Sequence, residues 1–325
     1  MKKVAIIGTG NLGSRHLQAL KTVKEHLRIF VVDPSPDSLN IAKVRYNSLP
    51  PRDHPHEVQY YQKIKKFDNE IDLAIVATNS DVRRHVIEQL LKLNYVKYLI
   101  LEKILFQKID DYYSIQDLFK EKNCKVWIDC TRRIIPVYKS TIKSWFDKLK
   151  ILFVVSGSQF GIMSTIIHYI DYMVYLTECD KFTVDTTYLD PVLIQSKRNK
   201  FLELTGILQT RFENGSHGVF SCFPIGNLPE TIQISTDNIL CIINQTEETS
   251  WVLNSQNKLR WETFNAKLIY SSILTKTIAE EIFENGDSSL TKYDESMKIH
   301  ISILEPILGF LNEKTGNRYD SCPFT

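Results

Sequence analysis

The chain has 325 residues, of which 43% are hydrophobic and 24% charged, and its formal net charge is +2. This length exceeds the size at which one hydrophobic core usually stops growing, so we expect two domains. A nearly neutral chain lacks the broad positive field that draws proteins to nucleic acid or to membrane surfaces, and we expect neither partner.

The six cysteines are scattered without a C-x-x-C pair, which argues against a zinc site and against a disulfide framework. His54 and His56 lie in a proline-rich loop without other ligands in view, and we expect no metal site. The start Met1-Lys2-Lys3 is followed by a strand pattern rather than by a signal peptide, and no apolar run approaches the length of a membrane span. These features predict a cytoplasmic protein with reduced thiols.

The first strand and the turn after it carry the clearest functional pattern. Val4–Ile7 are four apolar residues in a row, as in a strand buried on both faces. Gly8, Gly10 and Gly13 follow at the G-x-G-x-x-G spacing and lead into a helix, where backbone N–H groups and the helix dipole favour phosphate. The pattern predicts a dinucleotide site whose turn residues are Gly8, Thr9, Gly10, Asn11, Leu12 and Gly13.

Asp33 ends the second predicted strand, twenty residues beyond Gly13. An acid at this position can hydrogen-bond the ribose 2′-hydroxyl, and it would repel a 2′-phosphate. We therefore expect NAD in preference to NADP. The alternative is a glycine-rich turn of an unrelated α/β unit that binds no dinucleotide.

Strands and helices alternate through the first 130 residues, which predicts a doubly wound parallel Rossmann sheet in domain 1–130. Further strands are expected at 72–77, 98–101 and 125–128. Thr78 and Asn79 follow one of these strands, and Glu102 and Lys103 follow the next, at the edge where ligands of such sheets bind. Ser80 and Asp81 could equally serve only to cap the following helix.

The sequence pattern of residues 131–325 predicts an α+β domain, which we expect to serve substrate binding and oligomerisation. A helix over 136–149, which could pack on the first domain, precedes a strand at 151–155 and an apolar helix at 161–177. Runs from 184 to 261 then alternate as short strands, and Asn214-Gly215 is a hairpin turn. We expect a large, mostly antiparallel open sheet, covered on one face by helix 161–177 and two closing helices, at 266–284 and 292–313. Its other, apolar face suits a subunit interface.

Five motifs together resemble the Gfo/Idh/MocA family of NAD(P)-dependent sugar oxidoreductases, over residues 5 to about 175. They are Gly8-Thr-Gly10-Asn-Leu-Gly13-Ser-Arg15-His16, Ala77-Thr78-Asn-Ser-Asp-Val-Arg-Arg-His85, Glu102-Lys103, Arg133-Ile-Ile-Pro136 and His168-Tyr-Ile-Asp171. The resemblance implies hydride transfer between a nicotinamide and a hydroxyl or keto carbon of a sugar, cofactor contacts that include His85, and a homodimer or homotetramer formed through the C-terminal sheet.

The same resemblance implies the catalytic residues. His168 is assigned as the acid/base, because an imidazole titrates near neutrality. Lys103 would hydrogen-bond the substrate oxygen and stabilise developing negative charge. Asp171, Arg133 and Ser164 are expected to bind or orient substrate. By itself, a histidine on a buried helix is more often a core residue.

Two departures from the family pattern stand out. Ile104 replaces the proline of the usual Glu-Lys-Pro, so we expect a trans peptide bond between Lys103 and Ile104. Ser164 replaces the usual aspartate four residues before the histidine. Both departures favour an alternative function, that of a catalytically impaired NAD-binding sensor or partner protein. The ending Cys322-Pro-Phe-Thr325 resembles members associated with bacterial surface-sugar biosynthesis.

Overall fold

The structure, a computed structural model, describes residues 1–247, 249–267 and 269–325. The chain folds as two compact units. The first comprises Met1–Phe106, Asp110–Asp129 and Ile269–Asp294, and the second comprises Gln107–Ile109, Cys130–Leu268 and Glu295–Thr325. The predicted fold class is confirmed for both, although residues 269–294 join the first unit in addition to the N-terminal segment.

The elements follow each other along the chain as strands β1–β17 and helices α1–α8. The strands are β1 (Lys2–Ile7), β2 (Leu27–Val32), β3 (Glu57–Tyr61), β4 (Glu70–Val76), β5 (Tyr95–Leu101), β6 (Lys125–Ile128), β7 (Leu152–Ser158), β8 (Phe182–Leu189), β9 (Ile194–Gln195), β10 (Leu202–Glu203), β11 (Gly206–Phe212), β12 (His217–Phe223), β13 (Thr231–Ser235), β14 (Ile239–Asn244), β15 (Thr249–Asn254), β16 (Trp261–Asn265) and β17 (Thr291–Lys292). The helices are α1 (Asn11–Leu20), α2 (Pro36–Asn47), α3 (Ser80–Leu93), α4 (Ile109–Glu121), α5 (Lys143–Phe146), α6 (Ile162–Thr177), α7 (Ser271–Asn285) and α8 (Tyr293–Lys314).

The first unit contains a seven-stranded sheet in the order β17-β6-β5-β4-β1-β2-β3. Strands β1 to β6 pair in parallel, and only the two-residue β17 runs antiparallel, against β6. The last four residues of β1, β2, β4 and β5 are all buried. This is the pattern of strands covered on both faces, and it explains why continuous apolar runs located them correctly.

The second unit contains an eight-stranded sheet in the order β16-β15-β14-β13-β7-β12-β11-β8. Among the strands that the structure describes there, only β7 and β12 pair in parallel. Alternate residues of β7, β12 and β13 are buried, and α6 lies over the buried face, where the Tyr169 ring contacts Phe153 and Phe220 at 5.9 Å between centroids. The hairpin predicted at Asn214-Gly215 joins β11 and β12, and Gly215 has φ +82°.

Several predicted elements differ from the observed ones. No strand was predicted at β3 or β17. The last strand of the second sheet was predicted to end at Trp261, whereas β16 begins at that residue. The helix predicted over 136–149 is a π-helical segment, Val137–Ile142, that continues into α5, and both belong to the second unit.

Helix α7 was expected to cover the second sheet, and this was wrong, because it lies in the first unit and packs against α1. No helix in the described part of the chain has both the length and the apolar character needed to cross a membrane.

Candidate functional site

The glycine turn after β1 is built on two positions that no other residue could fill. Gly8 has φ +89°, a conformation that side chains with a Cβ rarely adopt. A Cβ on Gly13 would lie 1.8 Å from the carbonyl oxygen of Gly8, so α1 can approach β1 only with glycine there. Gly10 is the N-terminal cap of α1, and a Cβ on it would meet nothing within 4 Å. The turn thus leaves open space beside the first N–H groups of a helix.

Asp33 is fixed against this turn. Its Oδ2 accepts the backbone N–H of Thr9 at 2.7 Å, and its Oδ1 accepts that of Ser35 at 2.8 Å. A carboxylate has about four lone-pair sites, so both oxygens retain capacity for a further donor such as a ribose hydroxyl. These residues have the shape and the polar groups that an NAD adenosine and pyrophosphate require.

Arg45 of α2 reaches the same helix start. Its guanidinium donates to the Ser14 hydroxyl and, at 3.3 Å, to both the backbone and the side-chain oxygen of Asn11. No sequence motif marked Arg45, because its role depends on how α2 packs on α1.

Thr78 lies close to the turn, since its Cγ2 would be 3.0 Å from a Cβ on Gly8. Asn79 is exposed at the N-terminal cap of α3, and its side chain makes no capping hydrogen bond. The His85 side chain is 82% exposed, and its Nδ1 lies 3.5 Å from a carboxylate oxygen of Glu88 on the same helix. The cofactor contacts assigned to these three residues stay predictions.

Arg83 was missed by the sequence analysis, although it is only 1% exposed. It donates to the carbonyl oxygens of Thr78 and Ile104 and, at 3.0 Å, to that of Leu105. It therefore ties the loop after β4 to the loop after β5, which carries Lys103. Its spacing with Ile87 and Leu90 on the buried face of α3 was the available signal of burial.

Lys103 is 8% exposed at the end of β5. The peptide bond between Lys103 and Ile104 is cis, so the expectation of a trans bond was wrong. That expectation considered only the intrinsic preference of a peptide bond without proline. It took no account of the surroundings, in which Ile104 is buried and its carbonyl group is held by Arg83.

Glu102, the neighbour of Lys103, belongs to a buried group with His16 of α1 and Asp129, the residue after β6. His16 Nε2 lies 3.0 Å from Oε1 of Glu102 and 3.8 Å from Oδ2 of Asp129, and its Nδ1 lies 2.6 Å from the Thr275 hydroxyl. Glu102, His16 and Asp129 are at most 5% exposed. We call these three residues the buried acid–histidine cluster.

Burial alone would lower the pKa of His16, but its hydrogen bond to Glu102 and the charges of Asp129 and Glu102 leave that pKa raised above 6.5. Burial would raise the pKa of Glu102, yet the hydrogen bond and charge of His16, together with the charge of Lys103, lower it to about 2. Burial and the Glu102 charge raise the pKa of Asp129 well above 3.8. These shifts favour an imidazolium at His16, a carboxylate at Glu102 and a neutral acid at Asp129.

The neutral form of Asp129 also follows from its contacts. As a carboxylate it would find no hydrogen-bond donor among the described residues. As a protonated acid it can donate to Glu102, which is its neighbour. Two like charges in a buried space are costly, so one of the two carboxyl groups retains its proton.

The same three residues offer metal-type donors, since His16, Glu102 and Asp129 each present one atom within 4.8 Å of the others. One imidazole and two carboxylates can bind a divalent ion. A metal would have to displace the protons held on His16 and Asp129, because ligands bind deprotonated. The expectation of a chain without a metal site stays a prediction.

In the second unit, Arg133 and Asp171 form a buried ion pair. The guanidinium donates to both carboxylate oxygens of Asp171, at 2.9 and 3.0 Å, and to Oε1 of Glu295 at 2.9 Å. Asp171 is 0% exposed. Burial lowers the pKa of Arg133, but the Asp171 and Glu295 charges outweigh this and raise it. The two residues predicted to bind substrate thus bind each other.

His168 and Ser164 lie one turn apart on α6, and both are half-buried. The Ser164 hydroxyl donates to Glu203 of β10, whose carboxylate also accepts the backbone N–H groups of Met163 and Ser164, each at 3.0 Å. Glu203 was missed by the sequence analysis. The only sign of it was an acid within the apolar run Phe201-Leu202-Glu203-Leu204.

Residues 2–130 match the Gfo/Idh/MocA family, described as an oxidoreductase family with an NAD-binding Rossmann fold. Together with the fold of both units, this match confirms the resemblance seen in the sequence. The N-terminal part of the chain, residues 2–130, therefore matches the NAD-binding Rossmann domain of the Gfo/Idh/MocA oxidoreductases. No curated protein matches the sequence of the chain.

Solved structures of low sequence identity share the fold of the chain. UDP-N-acetylglucosamine 3-dehydrogenase GnnA from Acidithiobacillus ferrooxidans is 11% identical, with a TM-score of 0.69 over 93% of this chain and 95% of that one. Levoglucosan dehydrogenase in complex with NADH is 14% identical, with a TM-score of 0.70 over all of both chains. A Gfo/Idh/MocA oxidoreductase from Vibrio cholerae is 14% identical, with a TM-score of 0.69 over 98% of this chain and 100% of that one.

Proposed function

We propose that this protein is an NAD-dependent dehydrogenase that oxidises a hydroxyl carbon, or reduces a keto carbon, of a sugar or sugar derivative. The observation that carries the proposal is the placement of Asp33, held against the glycine turn by the Thr9 N–H at 2.7 Å. A fixed carboxylate at this point suits a ribose with a free 2′-hydroxyl and disfavours a 2′-phosphate. The cofactor of the proposal is therefore NAD.

When bound, NAD supplies the acceptor for a hydride. Residues of the chain accept the hydroxyl proton of the substrate and stabilise the charge on its oxygen. In the proposal, His168 takes the hydroxyl proton of the substrate, because an imidazole can hold a proton near neutral pH. Lys103 hydrogen-bonds the substrate oxygen and stabilises the negative charge that develops on it.

The substrate class of the proposal rests on the family and on the C-terminal ending. Two neighbours of similar fold are named as dehydrogenases of UDP-N-acetylglucosamine and of levoglucosan. The Cys322-Pro-Phe-Thr325 ending adds a role in bacterial surface-sugar biosynthesis to the proposal. We therefore favour amino, deoxy or nucleotide-linked sugars.

NADH formation at 340 nm with a panel of such sugars, including UDP-N-acetylglucosamine and levoglucosan, tests the proposal. We expect turnover with at least one substrate and with NAD in preference to NADP. Lys103→Ala and His168→Ala should each reduce kcat by at least about 100-fold, the usual contribution of a general acid or base. Unchanged turnover in both variants would refute the assigned roles.

A second candidate is a catalytically impaired NAD-binding sensor or partner protein. The observations that favour it are the two departures from the family pattern, Ile104 and Ser164. It predicts NADH binding in the micromolar range without turnover of any sugar in the panel. Calorimetric titration with NADH, run beside the turnover assay, separates it from the first candidate.

We also propose that the protein forms a homodimer or homotetramer through the second sheet. The face of this sheet opposite α6 carries exposed or half-exposed apolar side chains such as Leu152 and Trp251. Light scattering of the purified protein measures the mass of the assembly, and Leu152→Glu should shift it towards the monomer. The scattered cysteines, which include no C-x-x-C pair, support a reducing compartment, and we propose the cytoplasm.

A further inference from the structure

Glu203 inserts its carboxylate at the first turn of α6. Oε2 accepts the Met163 N–H and Oε1 accepts the Ser164 N–H, both at 3.0 Å, and Oε1 also accepts the Ser164 hydroxyl. The residue is 5% exposed. Three donors favour the ionised carboxylate. A single buried negative charge is thus fixed at the N-terminus of the helix that carries His168.

The backbone beside this carboxylate is shaped to receive it. Gly161 is the N-terminal cap residue of α6 and has φ +80°. As a glycine it has no side chain that could cap the helix by a hydrogen bond. A Cβ on Gly161 would lie 2.8 Å from Oε1 and 2.9 Å from Cδ of Glu203. The side chain of the cap residue itself usually accepts the first N–H groups of a helix. In α6 the glycine at this position leaves room for the carboxylate of Glu203, which accepts them instead.

The position of the charge along α6 relates it to His168. Residues 164 and 168 are separated by four positions and so lie on the same face, with Cβ atoms about 5–6 Å apart. The Ser164 hydroxyl holds Oε1 of Glu203 at the first of these positions. The carboxylate is therefore bound at the position one helical turn before His168. The buried Cys222 thiol also faces Glu203, whose charge adds to burial in raising the pKa of that thiol.

We propose that Glu203 is a positioning residue for the reaction assigned to His168, supplying from β10 the negative charge that stabilises the protonated imidazole. This inference rests on the proposed function. When the substrate hydroxyl is oxidised, its O–H proton passes to His168, its C–H hydride passes to NAD, and a C=O bond forms. The imidazolium so created is the species that the Glu203 carboxylate stabilises. Ser164 carries no acid itself but holds one in place.

The first test is independent of turnover. We would measure the pKa of His168 by NMR of the full chain labelled at histidine Cε1, using His168→Gln to assign the signal. Glu203→Gln should lower this pKa by about one unit, the effect of removing one partly screened charge at this separation. Ser164→Asp in the Glu203→Gln background should restore it, because the acid returns to the same place.

The control is Asp190→Asn. Asp190 is likewise a carboxylate that accepts a threonine hydroxyl, that of Thr205 at 2.6 Å, in the same unit. We expect it to leave the pKa of His168 unchanged. If Glu203→Gln does not fold, as judged by circular dichroism, Glu203→Ala carries the test in its place, with Ser164→Asp added to it as the restoring change. A pKa of His168 that changes by less than 0.2 unit (about 1.6-fold in the proton equilibrium) in the folded variant that lacks the Glu203 charge and keeps Ser164 would overturn the proposal.

The second test uses whichever sugar the panel identifies. Glu203→Gln should lower kcat about tenfold with KM unchanged, and the double variant should recover most of that loss. A capping role alone would lower the melting temperature without this recovery of kcat, and would contradict the proposal. If no sugar is turned over, the proposed function fails, whereas the NMR experiment still decides whether Glu203 acts on His168.

Discussion

The backbone N–H of Thr9 donates to the carboxylate of Asp33 at 2.7 Å, which joins the glycine turn to the end of β2. The acid is therefore oriented before any cofactor arrives. This contact fixes beside the glycine turn the carboxylate that is expected to hydrogen-bond the ribose 2′-hydroxyl of the cofactor.

Asp33→Asn should weaken NADH binding and reduce the preference for NADH over NADPH. An amide has one oxygen, so its NH₂ group would face the N–H of either Thr9 or Ser35, and the negative charge is lost. Losing a hydrogen bond to a charged group corresponds to about 1.5–3 kcal/mol, or about 10- to 150-fold in Kd. Fluorescence titration with both cofactors measures the change. Asp37→Asn, an exposed acid on α2, is the matched control and should bind NADH as the wild type does.

Gly13→Ala and Gly10→Ala should separate folding from cofactor binding. The Cβ added at position 13 would lie 1.8 Å from the Gly8 carbonyl oxygen, so we expect a loss of more than about 3 kcal/mol in the free energy of unfolding. The Cβ added at position 10 meets nothing within 4 Å, so stability should change by no more than about 1 kcal/mol. It would nevertheless occupy the space for the pyrophosphate. Thermal melting with NADH titration checks both, and tight NADH binding by Gly10→Ala would contradict this placement of the cofactor.

How much the sequence could predict depends on how local each feature is. The buried runs of β1, β2, β4 and β5 and the glycine spacing are patterns of adjacent residues, and they located the Rossmann sheet and its turn. Strand β3 has no fully buried residue and so no apolar run to mark it. Nothing in the sequence of helix α7 says which of the two units it packs on.

The missed site residues share one physical feature, which is that each acts through a partner distant in sequence. Glu203 lies 39 residues from Ser164, and Arg83 lies 21 residues from Ile104. Asp129 was not singled out in the sequence, because its pairing with Glu102 requires the order of β5 and β6 in the sheet. Such contacts also explain the wrong expectation for the Lys103–Ile104 peptide bond, where local preference was the only guide.

The free energy of unfolding of Asp129→Asn should increase relative to that of the wild type as the pH rises. The folded pKa of Asp129 is raised, so its stabilising contribution is complete below pH 3.8 and is lost as the pH rises through that folded pKa. Asparagine resembles the neutral acid and does not titrate. The stability of Asp129→Asn relative to the wild type should therefore grow by up to about 1.4 kcal/mol per pH unit between pH 3.8 and the folded pKa of Asp129.

Urea unfolding of wild type and Asp129→Asn in steps from about pH 4 to about pH 9 measures this difference, with the exposed Asp117→Asn as control. His16 has a raised pKa, so both proteins should also lose stability above pH 6.5 as its imidazolium deprotonates. The Glu102 contribution persists above pH 4.5 and is lost only towards pH 2. A large loss of stability in Asp129→Asn at every pH, or stoichiometric metal in the purified wild type by elemental analysis, would contradict a neutral Asp129.

Asp171→Asn should destabilise the protein rather than raise KM alone. The substitution leaves the buried Arg133 guanidinium with only the partly exposed Glu295 as an ionised partner among its described contacts. Breaking a buried ion pair on one side typically removes about 3–5 kcal/mol from the free energy of unfolding. Replacing both members, as Arg133→Met with Asp171→Leu, should remove less, because no buried charge is then left unpaired.

Glu295→Gln is the matched control, and since Glu295 is 35% exposed we expect a loss of at most about 1 kcal/mol. Urea unfolding of the four proteins distinguishes these outcomes. If Asp171→Asn kept wild-type stability and raised KM more than tenfold, Asp171 would instead bind substrate, as the family resemblance first suggested.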